Sequence, residues 1–284
     1  MKYRIKRLLI HSPANHLSEN QYIFLMIVYG WIFRLLGNRN ALKQVKLLNQ
    51  DMDCYELEFW NQERWRMFNP VRINRYIKGI EYAGSRLLNR YHLNNLPEKI
   101  NCFVDVGANV GELSYYFAKR NFFVFSFEPD PYVNSVLSQN LAQFKNVTIS
   151  KDALGNKRKK LNLYLKSDSA DTSLIKSKGF TEIVKVNVSR FDELKLSNQI
   201  FSPAILKIDA EGFEPEVIEG FKNALEKFTI VSIDCGRERN GADTVSEVES
   251  ILRMSEHLQI KVFEDMIIVA RRNNEFTKQS SALN

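Results

Sequence analysis

The sequence has 284 residues, with 40 Lys and Arg against 33 Asp and Glu for a net charge of +7. That length suits one large α/β domain with an appendage and a sizeable core. Its three cysteines, Cys54, Cys102 and Cys235, show neither C-x-x-C spacing nor an even count, which excludes a disulfide framework and a cysteine-rich zinc site and fits a reducing compartment.

The positive excess lies wholly in the first third: residues 1–90 carry 15 Lys/Arg against 7 Asp/Glu, and residues 91–284 carry 25 against 26. A basic segment of this kind meets anionic lipid, an acidic polymer or simply solvent. No nucleic-acid motif accompanies it, so nucleic acid is not an expected partner.

Residues 1–20 mix basic and aliphatic side chains, then give loop signals at Ser12, Pro13 and Asn15. Tyr22 to Phe33 (Y-I-F-L-M-I-V-Y-G-W-I-F) is an apolar run followed by Arg34, Arg39, Lys43 and Lys46. It is too short to cross a bilayer comfortably as a helix, and no small-residue cleavage site follows it. Two readings stand. One is a helix lying in the membrane interface, giving peripheral membrane contact through residues 1–45; the other is a hydrophobic helix packed on the main domain or a partner subunit. Residues 50–96 read as helices and connections, with Trp60, Trp65, Phe68, Tyr76, Tyr82 and Tyr91 set among arginines, to stack on sugar rings or to support a core. The expected organisation is a basic, largely helical segment at 1–74, a main domain at 75–272 and a frayed polar tail at 273–284.

The main domain is organised around Phe103 to Glu112 (F-V-D-V-G-A-N-V-G-E), where an apolar run breaks at Gly107 and a helix pattern starts at Gly111. A strand, tight turn and helix start of this kind is expected to expose backbone N–H groups and a positive helix end to a ligand. Asn109 stands where the middle glycine of G-x-G-x-x-G would admit a pyrophosphate, which favours a nucleoside without a diphosphate over NAD. Phe122 to Phe127 is the next strand, aromatic and β-branched almost throughout, and it ends in Glu128, placed to grip the two hydroxyls of a ribose. Pro129, Asp130 and Pro131 start a second helix. Val147 to Ser150 is the third strand, after which Asp152 either accepts a hydrogen bond from an adenine amino group or merely forms a turn. Leu161 to Leu165 and Ile183 to Val188 alternate with period two, a hairpin-like excursion with Asp171 to Leu174 between them.

Ala204 to Gly220 (A-I-L-K-I-D-A-E-G-F-E-P-E-V-I-E-G) begins as a buried strand. Alternation puts Lys207, Asp209 and Glu211 on one side at the carboxyl edge of the sheet, the lysine neutralising the two acids or all three meeting a ligand. A helix follows from Glu214, Pro215 and Glu216. Phe228 to Asp234 is a fifth strand, Asp243 to His257 a helix, and Gln259 to Phe263 and Met266 to Val269 an antiparallel closing pair across the Glu264-Asp265 turn. Asp209, Glu211 and Asp234 converging on a hard cation is an alternative without a supporting histidine, and no resident metal is expected. His11, His16, His92 and His257 are expected at surface or packing positions.

Four of these stretches, V-D-V-G-A-N-V-G-E, F-E-P-D-P, the D-A-L-G turn at 152–155 and L-K-I-D-A-E-G-F-E-P-E-V-I-E-G, together resemble the FkbM-type family of S-adenosylmethionine-dependent methyltransferases, over roughly residues 75–270. The last stretch is the most specific. The resemblance implies an α/β class I methyltransferase fold: a seven-stranded, mostly parallel sheet with its last strand reversed and helices on both faces. It further implies S-adenosylmethionine as cofactor, with its methionine part against Asp105, Gly107, Asn109 and Gly111, its ribose on Glu128 and its adenine near Asp130 and Asp152. Asp209 and Glu211 would sit closest to the transferred methyl group. Family members commonly resemble O-methyltransferases of sugars or other hydroxyl-bearing natural products, so a small-molecule or glycan acceptor is expected. On the chemistry of the residues, Asp209 is the first choice of base, Glu211 the second, and Lys207 would keep both ionised. The rivals are a Rossmann-type NAD oxidoreductase and a non-catalytic adaptor docked on a membrane or glycan-assembly complex. The expected location is the cytoplasm, peripheral at the inner face of the membrane.

Overall fold

The computed structural model describes residues 17–50, 53–97, 99–166, 172–176, 179–201, 203–239 and 241–272. The basic start with His11 and His16, Asp171, and the tail from 273 lie outside them. Two compact units make up the chain, the first ending at Arg86 and the second beginning at Leu87.

The first unit opens with α1 (Glu19–Leu35), started by a capping box: Gln21 N donates to Ser18 Oγ, and Ser18 N donates to Gln21 Oε1. The helix buries Tyr22, Met26 and Gly30, one residue per turn. The expectation of helices beyond residue 50, and of a largely helical 1–74, is corrected here. β1 (Leu42–Asn49), β2 (Cys54–Phe59) and β3 (Arg64–Phe68) form an antiparallel three-stranded sheet. The physical reason is a period of two. Tyr55, Leu57, Phe59, Trp65 and Met67 alternate inward, while Glu56 and Glu58 meet Arg66 and Lys43 across the strands, at 3.1 and 2.7 Å. Trp65 and Tyr76 are therefore core residues rather than open stacking platforms. A 3-10 turn over Pro70–Tyr76 then leads into α2 (Ile80–Arg90), which spans the boundary between the units.

The second unit is built on a seven-stranded sheet. Its strands are β4 (Cys102–Val106), β5 (Phe123–Phe127), β6 (Val147–Ser150), β10 (Ala204–Ile208), β11 (Phe228–Asp234), β12 (Leu258–Val262) and β13 (Ile267–Arg272). Across the sheet the order is β12-β13-β11-β10-β4-β5-β6, all parallel except β13, which runs against both neighbours. Between β6 and β10 the chain makes a second, three-stranded sheet from β7 (Ala153–Leu154), β8 (Lys159–Leu165) and β9 (Glu182–Ser189), the expected excursion.

Alternation along the strands divides the core. Val104, Val106, Phe125, Phe127, Leu206 and Ile208 pack with Val217 and Ile218 of the helix α5 (Glu214–Glu219) and with Val248 and Leu252 of α6 (Val245–Arg253). Phe103, Val124, Ile205 and Ile230 face the other way, onto Leu88 of α2 and onto Leu113 and Phe117 of α3 (Glu112–Ala118). Burying a ring such as Phe103, stacked on Phe117 at 4.1 Å, is worth ~2–3 kcal/mol, and both layers need such anchors. The order reverses at β4, with β5 and β6 to one side and β10 and β11 to the other. Its carboxyl end is therefore where a ligand crevice opens in such sheets.

Candidate active site

β4 ends at Val106, and residues 107–111 turn the chain into α3. Gly107 has φ +70, and a Cβ there would stand 1.9 Å from the Asp209 carbonyl oxygen, so only glycine lets this turn meet the end of β10. Gly111 has φ +101, and its Cβ would strike Leu137 Cδ1 at 2.6 Å; Leu137 lies on α4 (Pro131–Leu141). Asn109 also sits at positive φ, which its short amide tolerates.

The expected free N–H groups are not there. Gly107 N and Ala108 N both donate to Phe127 O (3.0 and 3.1 Å), Asn109 N to Glu128 Oε2 (2.9 Å), Val110 N to Asn109 Oδ1 (2.8 Å) and Gly111 N to Ala108 O (3.0 Å). The end of β5 lies alongside the turn and takes its donors. α3 itself has only seven residues. The turn thus presents no N–H cradle for a diphosphate.

Glu128 holds the turn from one side: Oε2 accepts from Asn109 N and Oε1 from Asp130 N at 3.0 Å. Burial first, and the nearby Asp130 charge second, push its carboxyl up to about 8, against the two backbone donors and Lys207. A further hydroxyl donor at either oxygen would relieve that cost. Asp130 caps α4, with Oδ1 accepting from Tyr132 N and Val133 N (2.9 and 3.2 Å) and Oδ2 from the Thr172 hydroxyl (2.9 Å). Its oxygens are committed within the protein. Asp152 Oδ2 accepts from the Ser189 hydroxyl at 2.9 Å.

On the other side, β10 delivers Lys207 and then Asp209. The expectation that Lys207 neutralises Asp209 and Glu211 is corrected: its direct partner is Asp105, at 3.1 Å, and it donates to the carbonyls of Val106 (3.1 Å) and Gly107 (2.7 Å). The parallel register sets Asp105 beside Lys207, which decides the pairing. Asp105 is buried, its second oxygen accepting from the Ser114 hydroxyl at 2.7 Å. Burial alone would lower the Lys207 ammonium; the charges of Asp105 and then Asp209 outweigh it and lift it above its ordinary value. Glu211 follows at positive φ, and its carbonyl accepts from the Ser173 hydroxyl at 2.6 Å.

Three further groups at this edge were not singled out as site residues from the sequence. Tyr91, one residue beyond α2, donates its hydroxyl to Asp209 Oδ2 at 2.5 Å. Burial and then the Asp209 charge hold the Tyr91 phenol well above its ordinary value, so it stays a donor. Arg90 pairs with Asp234 at the end of β11. Glu214 gathers the 209–213 turn: Oε1 accepts from Ala210 N (3.1 Å) and Gly212 N (2.8 Å), and Oε2 from the Thr244 hydroxyl (2.9 Å). Of these, only Glu214 had a local signal, an acid preceding a helix-starting proline. Burial lifts it to about 7.

Glu128 and Asp209 therefore border one turn from opposite sides, at the reversal point of the sheet. Burial raises the Asp234 and Glu238 carboxyls, and the Asp209 charge adds to both. An edge so rich in acids suits a cationic ligand and repels a diphosphate. Among the described residues no group of three or more His, Cys, Asp or Glu is arranged to hold a metal ion.

This strand order, with its reversed strand, glycine turn and acid at the tip of the next strand, is that of a class I methyltransferase. Residues 105–260, more than half of the chain, match the methyltransferase FkbM domain, and the protein belongs to that family. Hexuronic acid methyltransferase AglP of Haloferax volcanii is 27% identical over 180 residues, 60% of this chain and 70% of that protein. Among solved structures, the fibrillarin pre-rRNA processing protein of Methanococcus jannaschii is 11% identical, covering 81% of this chain and 98% of its own at TM-score 0.41. Magnesium protoporphyrin IX methyltransferase of Synechocystis, with bound S-adenosylmethionine, is 12% identical, covering 68% and 79% at TM-score 0.39.

The cofactor is S-adenosylmethionine. The donor set is compatible with it: at Glu128 a buried carboxyl whose two oxygens each accept a single backbone N–H, and an edge rich in acids. Family membership sets aside the dinucleotide oxidoreductase.

Proposed function

We propose that the protein is an O-methyltransferase acting on a hydroxyl of a sugar, glycan or related natural product. The observation that carries this reading is the Asp209 carboxylate, which ends the strand beside the glycine turn with Oδ2 fixed by Tyr91, leaving Oδ1 for an acceptor. When bound, S-adenosylmethionine supplies a methyl group on a positively charged sulfur that departs as a neutral thioether. The chain has to align the acceptor and remove its proton. Asp209 takes that proton as the acceptor oxygen bonds to carbon; Glu211, on the same turn, orients the acceptor. Lys207 holds the glycine turn beside Asp209 by donating to the Val106 and Gly107 carbonyls. Glu128 would hold the ribose, with Asp105, Gly107, Asn109 and Gly111 at the methionine end and Asp130 and Asp152 beside the adenine. Asp105 and Asp130 act by shaping the wall, because their oxygens are bonded within the protein.

The relative AglP is named for a hexuronic acid, which offers both hydroxyl and carboxylate oxygens. A carboxylate needs no base and is repelled by Asp209 and Asp234, so the acidic edge supports the hydroxyl. We further assign the protein to the cytoplasm, peripheral at the inner face of the membrane, which the basic and aromatic composition of residues 1–45 supports.

Asp209→Asn tests the reading. With labelled cofactor and a panel of sugars and glycans, turnover should fall by ~10²–10⁴-fold while calorimetry shows unchanged cofactor binding. An unchanged rate removes Asp209 as base and moves the acceptor to an oxygen already ionised.

A further inference from the structure

α1 buries one stripe, Tyr22, Met26 and Gly30, and leaves another bare. Phe24 is 67% exposed, Trp31 52%, Ile32 44% and Leu35 85%, with half-buried Val28 between them. Those positions are three or four residues apart, so they form one apolar strip along the helix. Trp31 is tethered by its indole N–H to the Lys43 carbonyl at 3.3 Å and by an edge contact with Trp60 at 5.1 Å, its remaining face turned outward. The strip continues into Leu36, 76% exposed.

Beyond the first turn, where Glu19 accepts from the Tyr55 hydroxyl, its electrostatic setting is predominantly positive. Residues 20–50 contain Arg34, Arg39, Lys43 and Lys46 and no Asp or Glu at all. Arg39 and Lys46 are exposed, Arg34 lies over the Trp60 ring at 5.8 Å, and Lys43 is paired with Glu58. A 17-residue helix is about 25 Å long, too short to span a bilayer. No helix among the described residues is long and apolar enough to cross a membrane.

We propose that α1 docks on an anionic phospholipid surface, lying in the headgroup layer with Phe24, Val28, Trp31, Ile32 and Leu35 toward the acyl chains and Arg34, Arg39 and Lys46 against the lipid phosphates. The charges argue for lipid over a second copy of the chain. A two-fold contact through this strip would set the cations of one copy against those of the other where the helices run parallel, and against a first turn whose single acid, Glu19, already holds the Tyr55 hydroxyl where they run antiparallel. A lipid surface supplies both the apolar layer and the negative charge. The proposal gives the peripheral attachment above a defined surface, rests on that reading for location only, and does not depend on methyl transfer.

The test is sedimentation of the full chain with vesicles of phosphatidylcholine mixed with phosphatidylglycerol, against vesicles of phosphatidylcholine alone. Binding is expected only to the mixed vesicles and should weaken with salt. Phe24→Asn with Leu35→Asn, or Arg39→Glu with Lys46→Glu, should each weaken it by ~10-fold or more. Circular dichroism melting and calorimetric cofactor binding should stay as in the parent. In the unmodified protein, brominated lipid should quench tryptophan fluorescence, a readout that needs no variant. No sedimentation with mixed vesicles, or equal sedimentation of parent and variants, overturns the proposal. So does light scattering that shows a dimer turned into monomer by the Phe24 and Leu35 changes. Vesicle binding without cofactor uptake would sink the catalytic reading and leave this one standing.

Discussion

With Glu128 on the ribose as proposed, cofactor binding becomes a proton-linked event, and Glu128→Gln exposes the linkage. Burial holds the Glu128 carboxyl at about 8, so near neutrality the side chain is largely protonated. Ribose hydroxyls donating to its oxygens, with a sulfonium close by, favour the charged form, so binding must release the proton. With the carboxyl ionised in the complex throughout this range, affinity should rise about 50-fold from about pH 6 to about pH 8, the ratio of the ionised fractions for a group titrating at about 8. Calorimetry in two buffers of different ionisation enthalpy should count about 0.9 proton released near pH 7, again from that fraction. The glutamine keeps the shape but cannot ionise, and its amide nitrogen leaves Asn109 N or Asp130 N without an acceptor. Losing charge-assisted bonds to the ribose costs ~1.5–3 kcal/mol, or roughly 10- to 150-fold in Kd at pH 8. The Gln variant should also bind without pH dependence. Stability has its own sign. Between 4.5 and about 8 the folded chain keeps a proton on Glu128 that the unfolded chain has released, so this group's contribution falls as pH rises through that window. A parent affinity that is flat from pH 6 to 8, or no proton release, would refute the linkage.

Tyr91→Phe removes the hydroxyl that donates to Asp209 Oδ2. Turnover should fall roughly tenfold, less than for loss of the base itself, with KM for the acceptor nearly unchanged, because Oδ2 loses the donor that fixes the carboxylate; an unchanged turnover would confine Tyr91 to packing. Lys207→Met strands the buried Asp105 charge and should cost ~3–5 kcal/mol in urea unfolding, with Asp105→Asn added to it recovering a substantial part. Equal stability of the Met variant and the parent would show that the pair carries no such weight.

The strands flanking the site were legible because their signals are local. V-D-V-G and K-I-D-A-E-G each join a buried run to a turn, and the four residues between the closing strands leave room only for an antiparallel pair. The sheet of β1, β2 and β3 also carried a local signal, the alternation of Tyr55, Leu57 and Phe59, obscured by Glu56 and Glu58 between them and by Arg64 and Arg66 on the next strand. Those charges look like a helix surface until the partner strand that pairs them is known. The contacts that set the site's chemistry had no local signal. Lys207 meets Asp105 across 102 positions, Tyr91 meets Asp209 across 118, and Arg90 meets Asp234 across 144. Each depends on strand order and register, which tertiary packing fixes. Once β4 lies beside β10 with Asp105 level with Lys207, the rest follows from the period of two: Gly107 and Asp209 each come two residues later and meet at the edge. The residue types at the site could be read from the chain, but their pairing needed that register, and a one-residue slip would have turned the lysine and its acid to opposite faces.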